Sequence, residues 1–337
     1  MRTEFHSIGP NEPVYLIAEI GLNHNGSEEL ALKMVEAAAR SGANCAKFQL
    51  FDSRFFINGK ASLGDQPPGS LQEFFRQFEL SASSWKRIVQ SCQENGIDFL
   101  CSVFDEPSLD LYESLGKFPV KIASTDLTCK PLLDSVLRRK LPIYLSTGAS
   151  NEEEIERTIQ WIGTPTLLFQ CVSSYPAKAA DYNLQVIPFW QRKYKCLTGI
   201  SDHCMDLDLS LQMPSLGGVA IERHFTLDRD MEGPDHKLSS TPEDFSSLRQ
   251  RLDLLKQAMG DGIKRCMPSE EGVRSGGRRA LYFRHDLAAG HTISEADILP
   301  MRPAGELESH RIQEILGKKM KVGVQAESPV RPADIQQ

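Results

Sequence analysis

Residues 15–50, YLIAEIGLNHNGSEELALKMVEAAARSGANCAKFQL, have the pattern of one strand, one helix and a second strand in direct succession. The runs 15–20 and 44–50 are rich in the apolar residues that are typical of strands in a parallel sheet. Between them, Ser27 begins a stretch of helical period with acidic residues in its first turn, and Gly42 ends it. This stretch predicts a βαβ unit.

The same alternation continues and predicts six further strands, which makes eight. These are residues 97–103, 120–123, 143–146, 166–171, 196–200 and 219–224. Helical stretches follow most of them, such as NEEEIERTIQWIG, which begins at Asn151 and stops at Gly163. Eight strand-helix units in about 260 residues match the size of a (β/α)8 TIM barrel, so the predicted fold class is α/β.

Composition narrows the class of protein. The chain has 337 residues, of which 40% are hydrophobic and 25% charged, and this length suits one large domain and a smaller one. The net charge of -7 argues against a nucleic acid partner, because phosphate backbones are bound by an excess of Lys and Arg. We find no secretory signal and no apolar run of membrane-spanning length, so we expect a cytoplasmic protein that binds no membrane. The eight cysteines form no CxxC pair, and we expect reduced, mostly buried thiols.

Polar side chains lie at or just beyond the C-terminal end of every predicted strand. Buried parallel strands are normally apolar throughout, so packing alone does not explain this pattern. In strand order they are Glu19 with Asn23, Lys47 with Gln49, Ser102, Lys121 with Ser124, Ser146 with Thr147, Tyr175, Asp202 with His203, and Glu222 with His224. Because these strand ends converge on the catalytic face of a TIM barrel, we expect one active site there.

Two histidines in this set have the chemistry of metal ligands. His203 and His224 follow neighbouring strands at the same level. Two imidazoles suit a divalent transition metal that keeps open positions for substrate and water. The structural alternative for each is a core histidine whose hydrogen bonds are satisfied.

Two lysines in the set predict an anion site. Lys47 and Lys121 occupy equivalent strand ends, and a serine follows the second at position 124. A single lysine in such a place usually extends its stem to reach solvent, but a pair is harder to explain in that way. The remaining alternative is structural ion pairing, in which Glu19 and Glu222 pair with Lys47 or Arg223.

Other motifs of known chemistry are missing from the sequence. There is no GxGxxG and no GxxxxGK[ST], so neither a Rossmann nor a P-loop site is supported. The glycine-rich run EGVRSGGRR, residues 271–279, predicts a linker or hinge after the barrel.

Seven ordered motifs resemble those of the sialic acid (N-acetylneuraminate) synthase family. They are AEIGLNHNG (18–26), KFQ from Lys47, KIAS from Lys121, STG from Ser146, GISDH (199–203), ERHFT from Glu222 and GPD (233–235). The C-terminal LYFRHDLAAGHTISEADILPMRP is similar to the antifreeze-like, or SAF, domain that follows the barrel in that family. The resemblance implies a catalytic TIM barrel over residues 1–265, a linker over 266–280 and an SAF domain over 281–337.

The resemblance also implies a reaction. It is the condensation of phosphoenolpyruvate with an N-acetylated amino sugar and water, giving a nine-carbon sugar acid and phosphate, with N-acetylmannosamine as the acceptor in the parent case. His203 and His224 are implied to hold a divalent metal, Mn²⁺ or Mg²⁺. The residues implied to bind phosphoenolpyruvate are Lys47, Ser102, Lys121, Ser124, Ser146 and Ser201, and those implied to bind the sugar are Gln49, Tyr175, Asp235 and Arg302. Catalytic roles fall to Lys121 and to a carboxylate, for which Glu19 is the first candidate and Asp126 the second.

Three departures from the family pattern concern the acceptor. Asp126 stands where Glu is typical, Ser173 stands where Asn is typical, and Arg278 and Arg279 lie near the place where the parent synthase presents an aromatic residue. The residues expected to bind phosphoenolpyruvate and the metal are all present. The resemblance therefore predicts the donor, while synthases of legionaminic, pseudaminic or spore-coat sugars remain alternatives for the acceptor.

Two alternatives belong to other classes of protein. One is another phosphoenolpyruvate-condensing barrel enzyme, such as a deoxyoctulosonate or deoxyheptulosonate phosphate synthase, which has no SAF domain. The other is a catalytically idle sugar-binding or ice-binding protein. The resemblance to the synthase family also concerns the assembly. Arg302 matches the SAF-domain arginine that reaches the acyl group of the sugar in a neighbouring subunit of that family, so we expect a domain-swapped homodimer.

Overall fold

The structure is a computed structural model that describes residues 1–61 and 70–336. It divides into two compact units, Met1–Gly260 and Asp261–Gln337. The first unit is a closed barrel of eight parallel strands, and the second contains a two-stranded antiparallel sheet. No helix within the described part of the chain is long and apolar enough to cross a membrane.

The barrel strands lie close to their predicted positions. They are β1 Tyr15–Gly21, β2 Cys45–Leu50, β3 Asp98–Val103, β4 Val120–Ile122, β5 Ile143–Ser146, β6 Leu167–Cys171, β7 Leu197–Ser201 and β8 Ala220–His224. Each strand pairs in parallel with the next, and β1 closes the barrel against β8 with Glu19 opposite His224. The predicted TIM barrel is confirmed.

The helices of the first unit surround this barrel. They are α1 Glu28–Arg40, α2 Ser53–Phe56, α3 Leu71–Arg76, α4 Ala82–Glu94, α5 Glu106–Leu115, α6 Lys130–Arg139, α7 Glu152–Ile162, α8 Val186–Tyr194 and α9 Pro242–Met259. The Ser27 hydroxyl caps α1 by accepting from the N–H of Leu30, and Asn151 forms a capping box with Glu154 at the start of α7. Both predicted helix starts are therefore confirmed.

One connection departs from the βα pattern. Between β7 and β8 the chain forms two short 3-10 turns, Ser210–Gln212 and Pro214–Leu216, where most other strands are followed by an α-helix. Pro214 lacks the N–H that a longer helix would need, and Gly217 with φ of 73° ends the second turn.

The alternation of side chains along the strands positions the site. On β1, Leu16, Ala18 and Ile20 pack outward in the large core beneath the helices, while Tyr15 and Ile17 pack inside the barrel. Because successive side chains of a strand point to opposite faces, the next inward position after Ile17 is Glu19, at the open end of the barrel. The same parity applies to β2, where Cys45 is inside and Lys47 and Gln49 follow it.

The second unit has a small core of its own. Its strands are β9 Ala280–Phe283 and β10 Ile298–Met301, and Leu281, Phe283 and Ile298 are buried together. Part of the run predicted as a linker forms a helix, α10 Glu271–Gly277. The carbonyl of Ser275 accepts a hydrogen bond from the N–H of Ala304 at 2.8 Å, a long-range contact that composition cannot reveal.

The cysteines form no disulfides. All eight are free thiols, and five of them are buried. Burial raises the pKa of the Cys92 thiol well above its usual range, which keeps the group neutral.

Candidate active site

The inward-facing polar side chains line a single cavity of about 420 Å³ at the C-terminal ends of the barrel strands. We call it the active-site cavity. Eleven of the fourteen predicted site residues line it: Glu19, Lys47, Gln49, Ser102, Lys121, Ser124, Ser146, Tyr175, Ser201, His203 and His224. The structure therefore brings most of the predicted site together, although the role of each residue stays a prediction.

A buried network of charges forms the floor of this cavity. The Lys47 ammonium donates to Glu19 Oε2 at 2.6 Å and lies 3.7 Å from Glu222 Oε1. The Lys121 ammonium lies 3.3 Å from the same Glu222 oxygen and also donates to the hydroxyl of Ser146. Ion pairing of both glutamates with Lys47, the structural alternative considered above, is thus present in the cavity itself.

The two lysines experience opposite electrostatic effects. Burial lowers the pKa of Lys47, but the carboxylates of Glu19 and Glu222 outweigh it, so the pKa of Lys47 is raised above its usual value. Burial also lowers the pKa of Lys121, and repulsion from Lys47 adds to the effect, so that this pKa stays below its usual value despite Glu222. A substrate that brings negative charge next to Lys121 would favour its charged form.

Further serine hydroxyls line the same cavity as the ammonium groups. Ser102 lies opposite Lys121 in the register between β3 and β4. Ser124 accepts a hydrogen bond from the N–H of Gly148 at 3.0 Å, and Ser201 donates to Glu222 Oε1 at 2.9 Å. Hydroxyls next to buried ammonium groups supply neutral donors for the oxygens of a phosphate or carboxylate.

The two predicted metal ligands lie side by side. The ring centroids of His203 and His224 are 5.5 Å apart, and the ring of Tyr175 stacks on His203 at 4.3 Å. His203 Nδ1 lies 2.7 Å from the carbonyl oxygen of Val172, which makes Nδ1 the protonated nitrogen and Nε2 the acceptor. The Ser201 hydroxyl is a long 3.5 Å from Nε2. Burial and the neighbouring His224 lower the pKa of His203 to about 3, so the ring is neutral.

The atoms around His224 show whether this part of the cavity could hold a metal ion. Its Nδ1 is buried and has no hydrogen-bond partner within residues 1–61 and 70–336, and Asp235 Oδ2 lies 3.7 Å away. A neutral, oriented imidazole beside a second one fits a divalent cation. No group of three or more His, Cys, Asp or Glu side chains encloses a metal among these residues, so substrate and water would have to supply the other ligands.

Three predicted site residues do not line the cavity. Asp126 ends the 3-10 turn Ser124–Asp126 after β4, where burial raises its pKa to about 6. Asp235 lies next to His224, with its Oδ2 3.7 Å from Nδ1 of that ring. Arg302 belongs to the second unit, where its side chain is exposed.

The cavity also contains residues that were assigned no role from the sequence. Glu222 was expected at this face because it stands at a strand end, but no part in binding or catalysis was predicted for it. Phe56, Phe75 and Phe104 line the cavity from segments outside the strands. Four phenylalanines in the stretch from 55 to 75 could have indicated an apolar wall, since such residues are unusual in solvated loops.

The comparisons with known proteins agree with this architecture. A sequence model of the NeuB family matches residues 34–264, and one of the SAF domain matches residues 278–336. The chain is 34% identical to N,N'-diacetyllegionaminic acid synthase of Campylobacter jejuni, over 90% of this chain and 94% of that protein. It is 29% identical to N-acetylneuraminate-9-phosphate synthase of Homo sapiens, over 96% of this chain and 93% of that protein. A crystal structure of N-acetylneuraminic acid synthetase from Leptospira borgpetersenii superimposes with a TM-score of 0.72 at 31% identity, covering 81% of this chain and 94% of that one.

Proposed function

The chain belongs to the NeuB family and carries an SAF domain, and on this premise we propose that it condenses phosphoenolpyruvate with an N-acetylated amino sugar and water to give a nine-carbon sugar acid and phosphate. The predicted family resemblance is confirmed, and the chain is a phosphoenolpyruvate-dependent sugar acid synthase. The SAF match argues against the deoxyoctulosonate and deoxyheptulosonate phosphate synthases considered above. The observation that carries the proposal is the meeting of two buried lysines, several hydroxyls and two imidazoles in one cavity.

The donor end of the site is the lysine and serine side of the cavity. Lys47 and Lys121 are each only 2% exposed, so an anion that reaches them leaves bulk water behind. In the proposal, their ammonium groups and the hydroxyls of Ser102, Ser124 and Ser146 bind the phosphate and carboxylate of phosphoenolpyruvate. Such charge-assisted hydrogen bonds are strong in a water-poor site.

The acceptor end lies at the two imidazoles. His203 and His224 would hold Mn²⁺ or Mg²⁺, and such an ion when bound polarises the aldehyde oxygen of the sugar, which makes the aldehyde carbon electrophilic. The carbonyl of Val172 holds the His203 ring in one tautomer. Tyr175, stacked on that ring, together with Gln49 and Asp235, is proposed to bind the hydroxyls of the sugar.

The proposed reaction forms one carbon–carbon bond and one carbon–oxygen bond to water, and it breaks the carbon–oxygen bond to phosphate. C3 of phosphoenolpyruvate attacks the aldehyde carbon, whose oxygen gains a proton, and water adds to the cationic C2 that this attack creates. The water loses one proton, which leaves a hydroxyl on C2. As the bond from C2 to the phosphate oxygen breaks, this hydroxyl passes its proton to the departing phosphate, and C2 becomes a ketone. Glu19 is the proposed acceptor of the water proton, with Asp126 as the second candidate, while Lys121 balances the charge of the departing phosphate.

We also propose an acceptor sugar and an oligomeric assembly. The relatives differ here: one is named for a product with two N-acetyl groups and the other for a phosphorylated product. N-Acetylmannosamine is the reference acceptor. Arg302 is proposed to reach the acyl group in a neighbouring subunit of a domain-swapped homodimer, and the eight free thiols support a reducing, cytoplasmic location.

Direct measurement of the products tests the proposed function. The protein is incubated with phosphoenolpyruvate, MnCl₂ and N-acetylated hexosamines, and the products are measured by mass spectrometry and by phosphate release. We expect a nine-carbon acid and one phosphate per product, with phosphate released only when a sugar is present. Sugar-independent release of phosphate, or no product with any acceptor, would contradict the proposal.

A further inference from the structure

A second cavity, of about 540 Å³, lies at the opposite end of the barrel from the active-site cavity. We call it the lower cavity. It is lined by Tyr15, Cys45 and Asp98, which begin β1, β2 and β3, and by Pro142 and Thr166, which directly precede β5 and β6. Because the catalytic groups of a TIM barrel gather at the C-terminal ends of its strands, the proposed reaction leaves this cavity without a role.

The walls of the lower cavity are largely apolar and aromatic. Phe99, Leu100 and Tyr144 are buried, and Leu115 and Phe118 line the cavity from the end of α5 and the loop that follows it. A concave surface of this size and composition is typical of sites that bind small molecules, and aromatic rings pack well against such walls.

Two cations at the lower cavity have no carboxylate partner. Arg2 and Lys117 are both exposed, and neither forms an ion pair with another of the residues that the structure describes. The two carboxylates of the lining already accept hydrogen bonds from the protein. Asp98 accepts from the hydroxyl of Tyr15 at 2.7 Å and from a backbone N–H at 3.1 Å, and Glu4 accepts from a side-chain amide at 3.3 Å. The two cations therefore remain available to a ligand with negative charge.

The hydroxyl of Tyr144 is a third donor in the lower cavity. Tyr144 is 1% exposed, and the acceptor that its hydroxyl meets among the described residues is the sulfur of Met1, 3.8 Å away. A thioether is a weak acceptor, so a carboxylate oxygen would be a better partner for this hydroxyl. Burial raises the pKa of Tyr144 well above its usual range, which keeps the donor protonated.

The lower cavity reaches the side chains that lie beside the two active-site lysines. Tyr144 on β5 is the register partner of Lys121 on β4, and Leu100 on β3 is the register partner of Lys47 on β2. The ring centroids of Tyr144 and Phe169 are 6.4 Å apart, and the Lys121 ammonium lies 5.1 Å from the centroid of the same Phe169 ring. Because barrel interiors are closely packed, a molecule that displaces Tyr144 acts on Lys121 through one intervening ring.

We propose that the lower cavity is an effector site for a small aromatic carboxylic acid, and that its occupation alters the binding of phosphoenolpyruvate at Lys121. The aromatic ring packs against the aromatic wall, and the carboxylate accepts hydrogen bonds from Arg2, Lys117 and the Tyr144 hydroxyl. Since hydrogen bonds between charged groups are the strong ones, the acid binds more tightly than a neutral or cationic molecule of the same shape. The effect on phosphoenolpyruvate rests on the proposed function, whereas binding in the lower cavity does not.

A series of ligands that differ in charge tests the site. Isothermal titration calorimetry on the full chain compares indole-3-acetate, indole-3-acetamide and tryptamine, which share a ring system and are anionic, neutral and cationic. The acid should bind about tenfold more tightly than the amide, and the amine should bind most weakly. Lys117→Glu should remove this advantage, while Lys86→Glu, the same charge change at an exposed lysine outside the cavity, should retain it. Failure of the acid to bind, equal affinity for the three ligands, or an equal loss in both variants would overturn the inference.

Kinetics test the effect on the donor. Saturating indole-3-acetate should change the KM for phosphoenolpyruvate by about fivefold or more in the wild type. It should have no effect in Lys117→Glu or in Thr166→Phe, which fills the lower cavity and whose folding is checked by thermal unfolding. A constant KM despite binding would overturn the effector role, and an equal change in all three proteins would place the ligand elsewhere and overturn the inference. If the protein forms no product, the proposed function fails while calorimetry still decides whether the lower cavity binds the acid.

Discussion

Adjacent residues on a strand point to opposite faces, and this single rule explains much of the site. Glu19, Lys47 and Lys121 have inward parity, so their place in the cavity could be predicted from strand positions alone. The same rule excludes the pairing of Glu222 with Arg223 that the sequence analysis kept open, because neighbours in β8 cannot face each other. The sharing of one Glu222 oxygen by two lysines could not be predicted, since it depends on distances across the barrel.

Asp126 gives a prediction about stability at the scale of one residue. Burial raises the pKa of this carboxyl to about 6, so the folded chain binds the proton more tightly than the unfolded chain does. Stability is therefore lost as pH rises through the range between about 4 and 6. Asp126→Asn, which removes the buried charge, should stabilise the barrel at pH 8 by about 1 to 2 kcal/mol and by much less at pH 4. Chemical denaturation at the two pH values measures this difference, and an equal gain at both would contradict it.

Lys121 gives a prediction about the donor. Its ammonium is assigned to phosphoenolpyruvate, so Lys121→Ala should raise the KM for phosphoenolpyruvate much more than the KM for the sugar. The expected loss is about 1.5 to 3 kcal/mol, or roughly 10- to 150-fold. Steady-state kinetics with each substrate varied in turn measure it, and Gln49→Ala is the control that should change the sugar KM instead. An effect of Lys121→Ala confined to the sugar would reverse the assignment of the two ends.

The two imidazoles give a prediction about metal binding. Either His203→Ala or His224→Ala should abolish turnover and weaken Mn²⁺ binding, because each removes one of two protein ligands. Electron paramagnetic resonance of free Mn²⁺ measures binding without reference to activity, and circular dichroism checks that the barrel folds. Full activity of both variants in chelator-treated buffer would refute the metal role.

At the scale of elements, a buried ion pair joins the ends of β7 and β8. Arg223 donates to the carboxylate of Asp202 and, at 3.0 Å, to the hydroxyl of Ser240, and both charged residues are 2% exposed. Asp202 precedes His203, and Arg223 precedes His224. The pair faces away from the cavity, so it holds the two strand ends together behind the imidazoles.

This arrangement predicts an asymmetric response to mutation. Arg223→Met leaves the Asp202 carboxylate buried without its partner and should destabilise the barrel by about 3 to 5 kcal/mol. The double variant Asp202→Leu with Arg223→Met should recover a large part of that loss, because no unpaired charge remains. Urea denaturation of the wild type, both single variants and the double variant measures the coupling. Simple additivity of the two single effects would show that the pair does not act as a unit.

The start of a helix could be predicted where the contacts that fix it join residues close together in the sequence. Ser27 and Asn151 cap α1 and α7 through side-chain bonds to backbone N–H groups three residues later, and sequence spacing reveals such contacts. The helix α10 was not predictable from its glycines, because the contact from Ala304 to Ser275 is distant in sequence. The same limit applies to the two 3-10 turns between β7 and β8.

At the scale of the whole molecule, the number and order of the strands were predictable because each strand end combines an apolar run with a polar terminus. The motifs that follow those ends are the ones that resemble the NeuB family, and the family match over residues 34–264 agrees with them. The acceptor was not predictable, because it depends on the depth and charge of cavities formed by residues far apart in sequence. The close packing of Gly148 against the hydroxyls of Ser124 and Ser173 is one such feature.

The second unit has the properties expected of a domain that docks on another chain. Its core is small and includes Leu281, Phe283 and Ile298, and a unit of this size gains stability from a docking partner. Arg302 is exposed on it, and we propose that this residue serves the barrel of the other chain in a domain-swapped dimer.

Complementation between two inactive chains tests this exchange. If Arg302 acts in trans, a heterodimer of an Arg302→Ala chain and a His203→Ala chain contains one barrel with both imidazoles that receives an intact arginine from its partner. Activity should then reappear on mixing under subunit exchange, to about a quarter of the wild-type level, because half of the chains enter heterodimers and each heterodimer has one complete site. If Arg302 acts within its own chain, the barrel with intact imidazoles has only alanine at position 302, and mixing restores nothing. Product formation is measured alongside native mass spectrometry of the mixture, and no recovery despite confirmed heterodimers, or a fully active monomer, would refute the exchange.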